Sequence, residues 1–425
     1  MIPDVSRRDF VKGTAAAVSS APAVVSALGA NDRLQVAFIG LGGRGRYVMD
    51  MMYKAVKDQV AVTAICETFS TRLAGAKDYV QTTGGNTPKT FVDYKELLQD
   101  KSIDVVFVTS PEHLHHPMAM AALAAGKHIY LEKPLAHTIE EGWEIVKAAK
   151  KSGKVMQVGT QNRSNSLYIK AKEMVAQGMI GEIHYARAFW YRNALADGSP
   201  AWRYTIPSDA SEENTDWSRF LGPAPKRPFN KNRYYQWRLY WDYSGGISTD
   251  LLVHQTDVTN FVCGKTVPSS CMSSGGVYQW VQPDDREVPD TFSAVYEYAD
   301  RFQINYSCFL GNAQFGYGEQ FMGREGTIEV LNRQVLNFYT EKVNGKPVPQ
   351  AASRKEFSEN IPGNDNNAVQ SHVRNLIESI QGKAKLVAPV EVGQQAAISG
   401  HMATLSYRNR KMIQWDSAKN SYRFV

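Results

Sequence analysis

Leu34-Gln35-Val36-Ala37-Phe38-Ile39-Gly40-Leu41-Gly42-Gly43-Arg44-Gly45 is the stretch on which the fold turns. The first six residues are mostly apolar and predict a buried strand, a glycine turn follows at once, and residues 46–57 predict a helix. In Gly40-x-Gly42-x-x-Gly45 the first glycine permits the tight turn. The second lets a pyrophosphate approach the backbone, and the third lets the helix pack against the strand. The amides of the helix N-terminus then face the phosphates. The strand before and the helix after separate this pattern from an ordinary glycine-rich loop. Gly43 and Arg44, inside the turn, belong to the same expected cofactor site.

Outward from the turn, apolar runs at 60–66, 103–109, 128–131 and 155–158 alternate with helical patterns at 116–125 and 139–151, each stopped by a glycine. Strands alternating with helices predict a parallel sheet covered on both faces. Beyond about residue 160 the strand patterns lengthen and alternate, at 183–191, 292–298, 303–310 and 327–331, which predicts an antiparallel sheet open on one face. Residues 192–246 are dense in Trp, Tyr, Pro and Arg without a period and read as long loops over a pocket. Two closing helices, 367–380 and 392–408, are expected to pack back on the first domain. The expected fold class is α/β: an N-terminal Rossmann domain, 31–158, and a C-terminal α+β domain, 159–425, with a large, mostly antiparallel, open-faced sheet.

A length of 425 residues suits two domains. The net charge of +6 comes without any Lys/Arg block, so nucleic acid is not an expected partner. Four scattered cysteines make neither a disulfide framework nor a zinc site. Ser6-Arg7-Arg8-Asp9-Phe10-Val11-Lys12 is a twin-arginine pattern, followed by a small, mildly apolar run to Ala30. Residues 1–30 therefore read as an export signal, cleaved after Ala27 or near Ala30, and too weakly apolar for stable membrane insertion. The expected location is periplasmic or extracytoplasmic. This route exports folded proteins, so a dinucleotide enzyme taking it is loaded with cofactor inside the cell and holds it tightly.

Glu67 ends the second run, 27 residues past Gly40. A carboxylate there accepts hydrogen bonds from the adenosine ribose and repels a 2′-phosphate, which favours NAD; Arg44 and Arg72 nearby keep NADP admissible. Ser110-Pro111-Glu112-His113-Leu114-His115-His116 follows the third run. Its histidines lack a carboxylate or cysteine at ligand spacing, so no metal is assigned, and Ser110, Pro111, His113 and His115 are taken as a cofactor-facing loop. Glu132-Lys133-Pro134 follows the fourth run. Lys133 is a compact charge able to polarise a hydroxyl or carbonyl oxygen, and Pro134 restricts it to an extended conformation. Gly40, Glu67, His115, Lys133 and Gln161 each lie just past the carboxyl end of a separate expected strand, the edge at which open parallel sheets bind ligands. Asp250, His254 and Asp257 stand at i, i+4 and i+7 of a helical stretch. They share a face on which Asp250 is expected to orient the His254 imidazole for acid/base work.

Together the glycine turn, Thr109-Ser110-Pro111-x-x-x-His115, Ala125-Gly126-Lys127-His128-x-x-x-Glu132-Lys133-Pro134 and Asp250-x-x-x-His254-x-x-Asp257 resemble the Gfo/Idh/MocA oxidoreductases, the glucose–fructose oxidoreductase and inositol dehydrogenase family. The resemblance implies Lys133, Asp250 and His254 as the catalytic set, a cis peptide before Pro134 and a homo-oligomer, dimer or tetramer, built on the open sheet. It departs where the family's second strand often ends in Asp, and residues 192–246 match no known substrate pattern. The leading expectation is an NAD(P)-dependent oxidoreductase acting on a secondary alcohol of a carbohydrate or cyclitol. A second is glycoside cleavage through transient oxidation, elimination and re-reduction. A third, a non-catalytic sugar or dinucleotide sensor, is disfavoured by the joint presence of Lys133, Asp250 and His254.

Overall fold

The structure, a computed structural model, describes residues 33–194, 200–343, 345–347, 355–361 and 364–425. The twin-arginine leader lies outside the described residues. The first sheet has six parallel strands: β1 (Leu34–Ile39), β2 (Val60–Cys66), β3 (Lys89–Phe91), β4 (Val105–Val108), β5 (His128–Leu131) and β6 (Met156–Val158). Their order is β3-β2-β1-β4-β5-β6. β3 has no counterpart among the expected strands, because three residues with two exposed side chains carry no apolar run. The order reverses between β1 and β4, which opens a crevice at their carboxyl ends.

Both faces of this sheet are covered, which is why its central strands read as continuous apolar runs. On one face Phe38, Phe107 and Tyr130 stack in a row at 4.6 and 5.0 Å between ring centroids. The helix Gly43–Val56 and the distant helix Asn364–Ile380 close over them, the latter through Val369, Val373, Leu376 and Ile377. On the other face Ala37, Ile39, Val106 and Val108 meet the helices His115–Ala124 and Ile139–Ser152. The latter opens on a capping box, Thr138 with Glu141, and stops at Gly153 with φ 65°.

The second sheet is built from β7 (Ile183–Tyr191), β8 (Ser270–Gly276), β9 (Thr291–Tyr298), β10 (Phe302–Phe309), β11 (Tyr317–Gly323), β12 (Gly326–Leu331) and β13 (Val335–Thr340). After a separate small pair, β14 (Lys342–Val343) and β15 (Lys346–Pro347), it is completed by β16 (Lys355–Asn360), β17 (Ile413–Asp416) and β18 (Ser421–Phe424). Its ten strands run β16-β13-β12-β11-β7-β10-β9-β8-β17-β18, with only the β7–β10 pair parallel among the described pairings. Side chains of β9 and β10 alternate between buried and more exposed positions. The buried face packs on the helices Ser166–Ala176, Val253–Cys263 and Val390–Asn409. The strands that sequence patterning did not single out, such as β8 (Ser-Cys-Met-Ser-Ser-Gly-Gly) and β11, are rich in Ser, Gly and polar residues, and their ladder partners define them.

Burial also sets an acid limit on stability. Burial lowers the pKa values of His113, His372 and His401 to about 3, 4 and 4. Unfolded histidine takes up a proton near pH 6.5, whereas these three stay neutral in the folded chain until much lower pH. Stability is therefore full above pH 6.5 and is lost as pH falls from there towards 4. Glu319, which burial raises to about 7, works in the opposite direction and offsets part of the loss. Calorimetry is expected to give a Tm roughly 3–4 °C lower at pH 5 than at pH 7.5; an unchanged Tm would contradict this reading.

Candidate active site

The glycine turn sits at the switch point of the parallel sheet. Gly40 has φ 87°, and a Cβ there would come within 2.8 Å of the Ser110 amide nitrogen. A Cβ on Gly45 would run into the Gly40 carbonyl oxygen and reach 2.7 Å from Thr109 Oγ1. Gly45 thus lets the helix press onto the crossing of β1 and β4. By contrast, a Cβ on Gly43 would have nothing within 4 Å, and one on Gly42 only Arg72 Nη1 at 3.8 Å. The helix Gly43–Val56 starts inside the turn, with no side-chain cap at Gly42 and no acidic residue in its first turn. Unsatisfied amides opening on free space fit the pyrophosphate of a dinucleotide.

A cavity of about 740 Å³ runs from this turn past the ends of β2, β4 and β5 to the helix bearing His254. Gly40, Gly42, Gly43, Arg44, Glu67, Ser110, Pro111, His115, Glu132, Lys133, Gln161, Asp250 and His254 all line it. Glu67 ties the end of β2 to the turn: its carboxylate accepts from Leu41 N at 2.8 Å, Thr68 N at 2.8 Å and Tyr234 OH at 3.0 Å, with Arg72 Nη1 at 3.5 Å. Arg44 donates from Nε to Glu132 at 2.8 Å and from Nη2 to Gln161 at 3.2 Å, so the ends of β5 and β6 are braced against the first turn of the helix. His115 braces the edge from below, with Nδ1 2.7 Å from Pro134 O and Nε2 3.0 Å from Ser110 O. The Lys133–Pro134 peptide is cis.

Two expectations are corrected. His113 does not reach the cofactor cavity. Its Nε2 bonds to Phe220 O at 2.8 Å and its ring packs against Phe220 and Tyr243, so it is a core histidine, as its burial demands. Asp250 does not orient His254. Its Oδ1 accepts from Lys133 Nζ at 2.8 Å and from Arg238 Nε at 3.2 Å, and its carbonyl accepts from Lys133 Nζ at 2.7 Å. Residues Ser248–Leu252 form a wider π turn before the regular helix at Val253, which breaks the i, i+4 alignment read from spacing. Two cations also outbid a neutral imidazole for one carboxylate. Burial would raise the Asp250 pKa, but Lys133 and Arg238 hold it well below the ordinary carboxylate range. Asp257 is turned away and takes Arg163 in a bidentate pair at 2.9 Å.

His254 is buried, and its Nδ1 has no hydrogen-bond partner among the described residues. Burial, and then the charges of Lys133 and Arg333, push its pKa well below the usual value, so it stands as a neutral base. Residues that sequence reading left unassigned complete the cavity: Trp190, Tyr204, Tyr234, Trp237, Arg238 and Arg333. The first signal for four of them was only the aromatic and basic density of 192–246, which has no period to place individual side chains.

That block also fastens the second half of the chain to the Rossmann edge. Ser70 N bonds to Asn214 O at 2.9 Å, Asp216 N bonds to Thr68 O at 2.8 Å, and Phe69 bridges Thr215. Tyr235 packs edge-on against Phe69, and Tyr234 OH lies 2.7 Å from Thr68 Oγ1.

A doubly covered parallel sheet with this glycine cradle, joined to an open-faced sheet across a shared cavity, defines a two-part dinucleotide-binding oxidoreductase fold. Residues 34–160 match the oxidoreductase family with the NAD-binding Rossmann fold, and residues 225–415 match that family's C-terminal alpha/beta domain. The chain belongs to the Gfo/Idh/MocA oxidoreductase family, and NAD is the cofactor of its Rossmann part. Among curated relatives, Glycosyl hydrolase family 109 protein 2 of Shewanella sp. (strain ANA-3) is 31% identical over 186 residues, 40% of each chain. A Glycosyl hydrolase family 109 protein of Stenotrophomonas maltophilia (strain K279a) is 30% identical over 191 residues, 43% of this chain and 42% of its own. The chain therefore spans about two fifths of the length of the curated relatives it matches. Similar folds include levoglucosan dehydrogenase in complex with NADH and levoglucosan (TM-score 0.68, 20% identity, 93% of this chain and 100% of that one). Another is myo-inositol 2-dehydrogenase from Lactobacillus plantarum (TM-score 0.65, 20% identity, 90% and 99%). At that identity they speak for the fold alone. Among the described residues no helix is long and apolar enough to cross a membrane.

Proposed function

We propose that this protein oxidises a secondary alcohol of a sugar or cyclitol, with the cofactor held tightly. The observation that carries the proposal is the meeting of Lys133, Asp250 and His254 in the cavity that the glycine turn opens. NAD, when bound, supplies the hydride-accepting nicotinamide. Lys133 has two of its three donors engaged by Asp250. The third is left for the reacting oxygen, whose developing negative charge it stabilises. Asp250 positions the ammonium, and the neutral His254 imidazole takes the hydroxyl proton. Both sit in an enclosed, partly apolar setting where such electrostatic help is stronger than in water. A purified sample incubated with sugars and cyclitols is expected to yield a keto product; a panel giving neither redox nor cleavage products would sink the proposal.

Tight cofactor retention is supported by the fastening of residues 204–235 onto the end of β2, beside Glu67, where the adenosine half is expected. Changing Tyr234 to Phe removes the hydroxyl that bonds both Glu67 and Thr68. Loss of one such buried bond is expected to speed cofactor release by about 5- to 10-fold. The decay of cofactor content during dialysis measures this, and an unchanged rate would remove the segment from retention.

A second reading, glycoside cleavage with transient oxidation and no net cofactor use, is favoured by the family 109 relatives. Product analysis separates the two: stoichiometric NADH with accumulation of a keto-sugar speaks for net oxidation, and a released aglycone with unchanged cofactor speaks for cleavage. Export by the twin-arginine route belongs to the same proposal, because a carried cofactor suits a compartment poor in free NAD. Fractionation with Arg7→Lys/Arg8→Lys as control tests it. A homo-oligomer joined through the open sheet face is likewise proposed, supported by the outward positions of β9 and β10, which stay partly or fully exposed, and light scattering gives its size. The division into cofactor part 31–158 and substrate part 159–425 is part of this reading.

A further inference from the structure

We infer that the ring bound at the reaction end of the cavity carries a carboxylate, received by Arg333; this names the substrate class and rests on the sugar or cyclitol reading above. Arg333 stands in a turn, Leu331-Asn332-Arg333-Gln334, closed by Gln334 N to Leu331 O at 2.9 Å. Both central residues have positive φ, 50° and 55°. That turn favours Asn followed by Gly, because glycine alone avoids the Cβ clash at the second position. An arginine occupies it here, and its carbonyl is held further by Asn165 Nδ2 at 3.3 Å. A backbone position that disfavours arginine keeps one whose side chain is only 8% exposed.

The guanidinium lies against Trp190 and Tyr317, at 5.1 and 5.2 Å from their ring centres, and those rings stack on each other at 4.5 Å. Its Nη1 makes long bonds of 3.3 and 3.4 Å to Asp365, while its Nη2 is buried with no hydrogen-bond partner among the described residues. Arg333 and Trp190 line the cavity together with His254 and Lys133. A buried guanidinium N–H without an acceptor is costly, and the fork geometry of arginine suits a carboxylate.

The charge of the cavity agrees. Six Arg or Lys and four Asp or Glu line it. At the reaction end Lys133, Arg238 and Arg333 face two lining carboxylates, Asp250 and Glu112, and Arg333 also reaches Asp365. With Asp250 and Glu112 engaged by Lys133, Arg238 and backbone donors, Arg333 keeps only its long bonds to Asp365, so a carboxylate on the ring is the group its fork can still take up. The pyrophosphate does not fill this role, because its cradle at Gly42–Arg44 has its own free amides.

The test uses the full protein with its cofactor in place and matched pairs: methyl glucuronide against methyl glucoside, methyl galacturonide against methyl galactoside, and galactose 6-sulfate. Calorimetric binding and product formation are read separately. The acidic member of at least one pair is expected to bind and react at least about 30-fold better than its neutral partner, with the margin shrinking as salt is raised. Arg333→Gln is expected to collapse that margin to within about threefold while cofactor content stays at the wild-type level, and Arg333→Lys to keep part of it. Neutral sugars bound as well as acidic ones, or a sulfate ester preferred over every carboxylate, would overturn the inference. So would an Arg333→Gln protein that loses its cofactor and keeps the preference, since the guanidinium then serves the dinucleotide. If that variant does not fold, the wild-type pairs decide alone. Acidic sugars that bind selectively but are never converted would sink the oxidoreductase reading and leave this one standing.

Discussion

Lys133→Met is expected to lower turnover by about 10²- to 10³-fold, the usual effect of removing one donor from a developing oxyanion. The methionine keeps the length of the side chain and removes only its charge and donors. Asp250 retains Arg238 as a partner at 3.2 Å, so the buried carboxylate is not left alone and the fold should hold. The glycine cradle and Glu67 are untouched, so cofactor content is expected to equal that of the wild type. Lys133→Arg is expected to fail almost as badly, because a planar fork does not replace a compact ammonium pressed between a carbonyl and a carboxylate. The measurement is single-turnover product formation on protein whose cofactor content has been assayed in parallel. Turnover within tenfold of wild type in Lys133→Met would remove the lysine from the chemistry.

Gly45→Ala has the second large effect, on folding rather than on chemistry. The added Cβ would collide with the Gly40 carbonyl and crowd Thr109 Oγ1, atoms that belong to the sheet crossing itself. Thr109 Oγ1 also donates to Gly40 O at 2.6 Å, so neither neighbour is free to move aside. Overpacking of this kind costs about 3 kcal/mol, which is roughly 3–4 °C in Tm for a chain of this size. The shifted helix start also loses its aim at the pyrophosphate, and the protein should emerge largely without cofactor. Gly43→Ala is the contrasting control. Its Cβ enters open space, and alanine in the first helical turn leaves Tm within about 1 °C. Equal Tm values for the two variants would refute the packing role assigned to Gly45.

These two positions show how far a single sequence reaches. Gly40, Gly42 and Gly45 lie within one turn, and their roles depend on local backbone geometry that spacing records directly. Lys133 was legible for a similar reason: it follows a strand run immediately and precedes a proline, so its place on the sheet edge needed no tertiary knowledge. The role of His113 is not legible, because a strand-end loop with three histidines looks the same whether a ring faces a ligand or a core. Only Phe220 and Tyr243, more than a hundred residues downstream, decide it. The Asp250–His254 link failed because it assumed an unbroken α-helix. The π turn at Ser248–Leu252 and the arrival of Lys133 and Arg238 from elsewhere redirected the carboxylate.

The parallel sheet, the open antiparallel sheet, the family and the dinucleotide cradle are legible along the chain, because periodicity and glycine placement act within a few residues of each other. Which charges meet is settled in space. Arg44 with Glu132 and Gln161, Tyr234 with Glu67, and Arg333 on Trp190 beside His254 are partnerships between segments separated by tens to hundreds of positions. Electrostatic and hydrogen-bond energies depend on distance in space, and the order of residues along the chain carries no measure of that distance until both sheets have closed around the cavity.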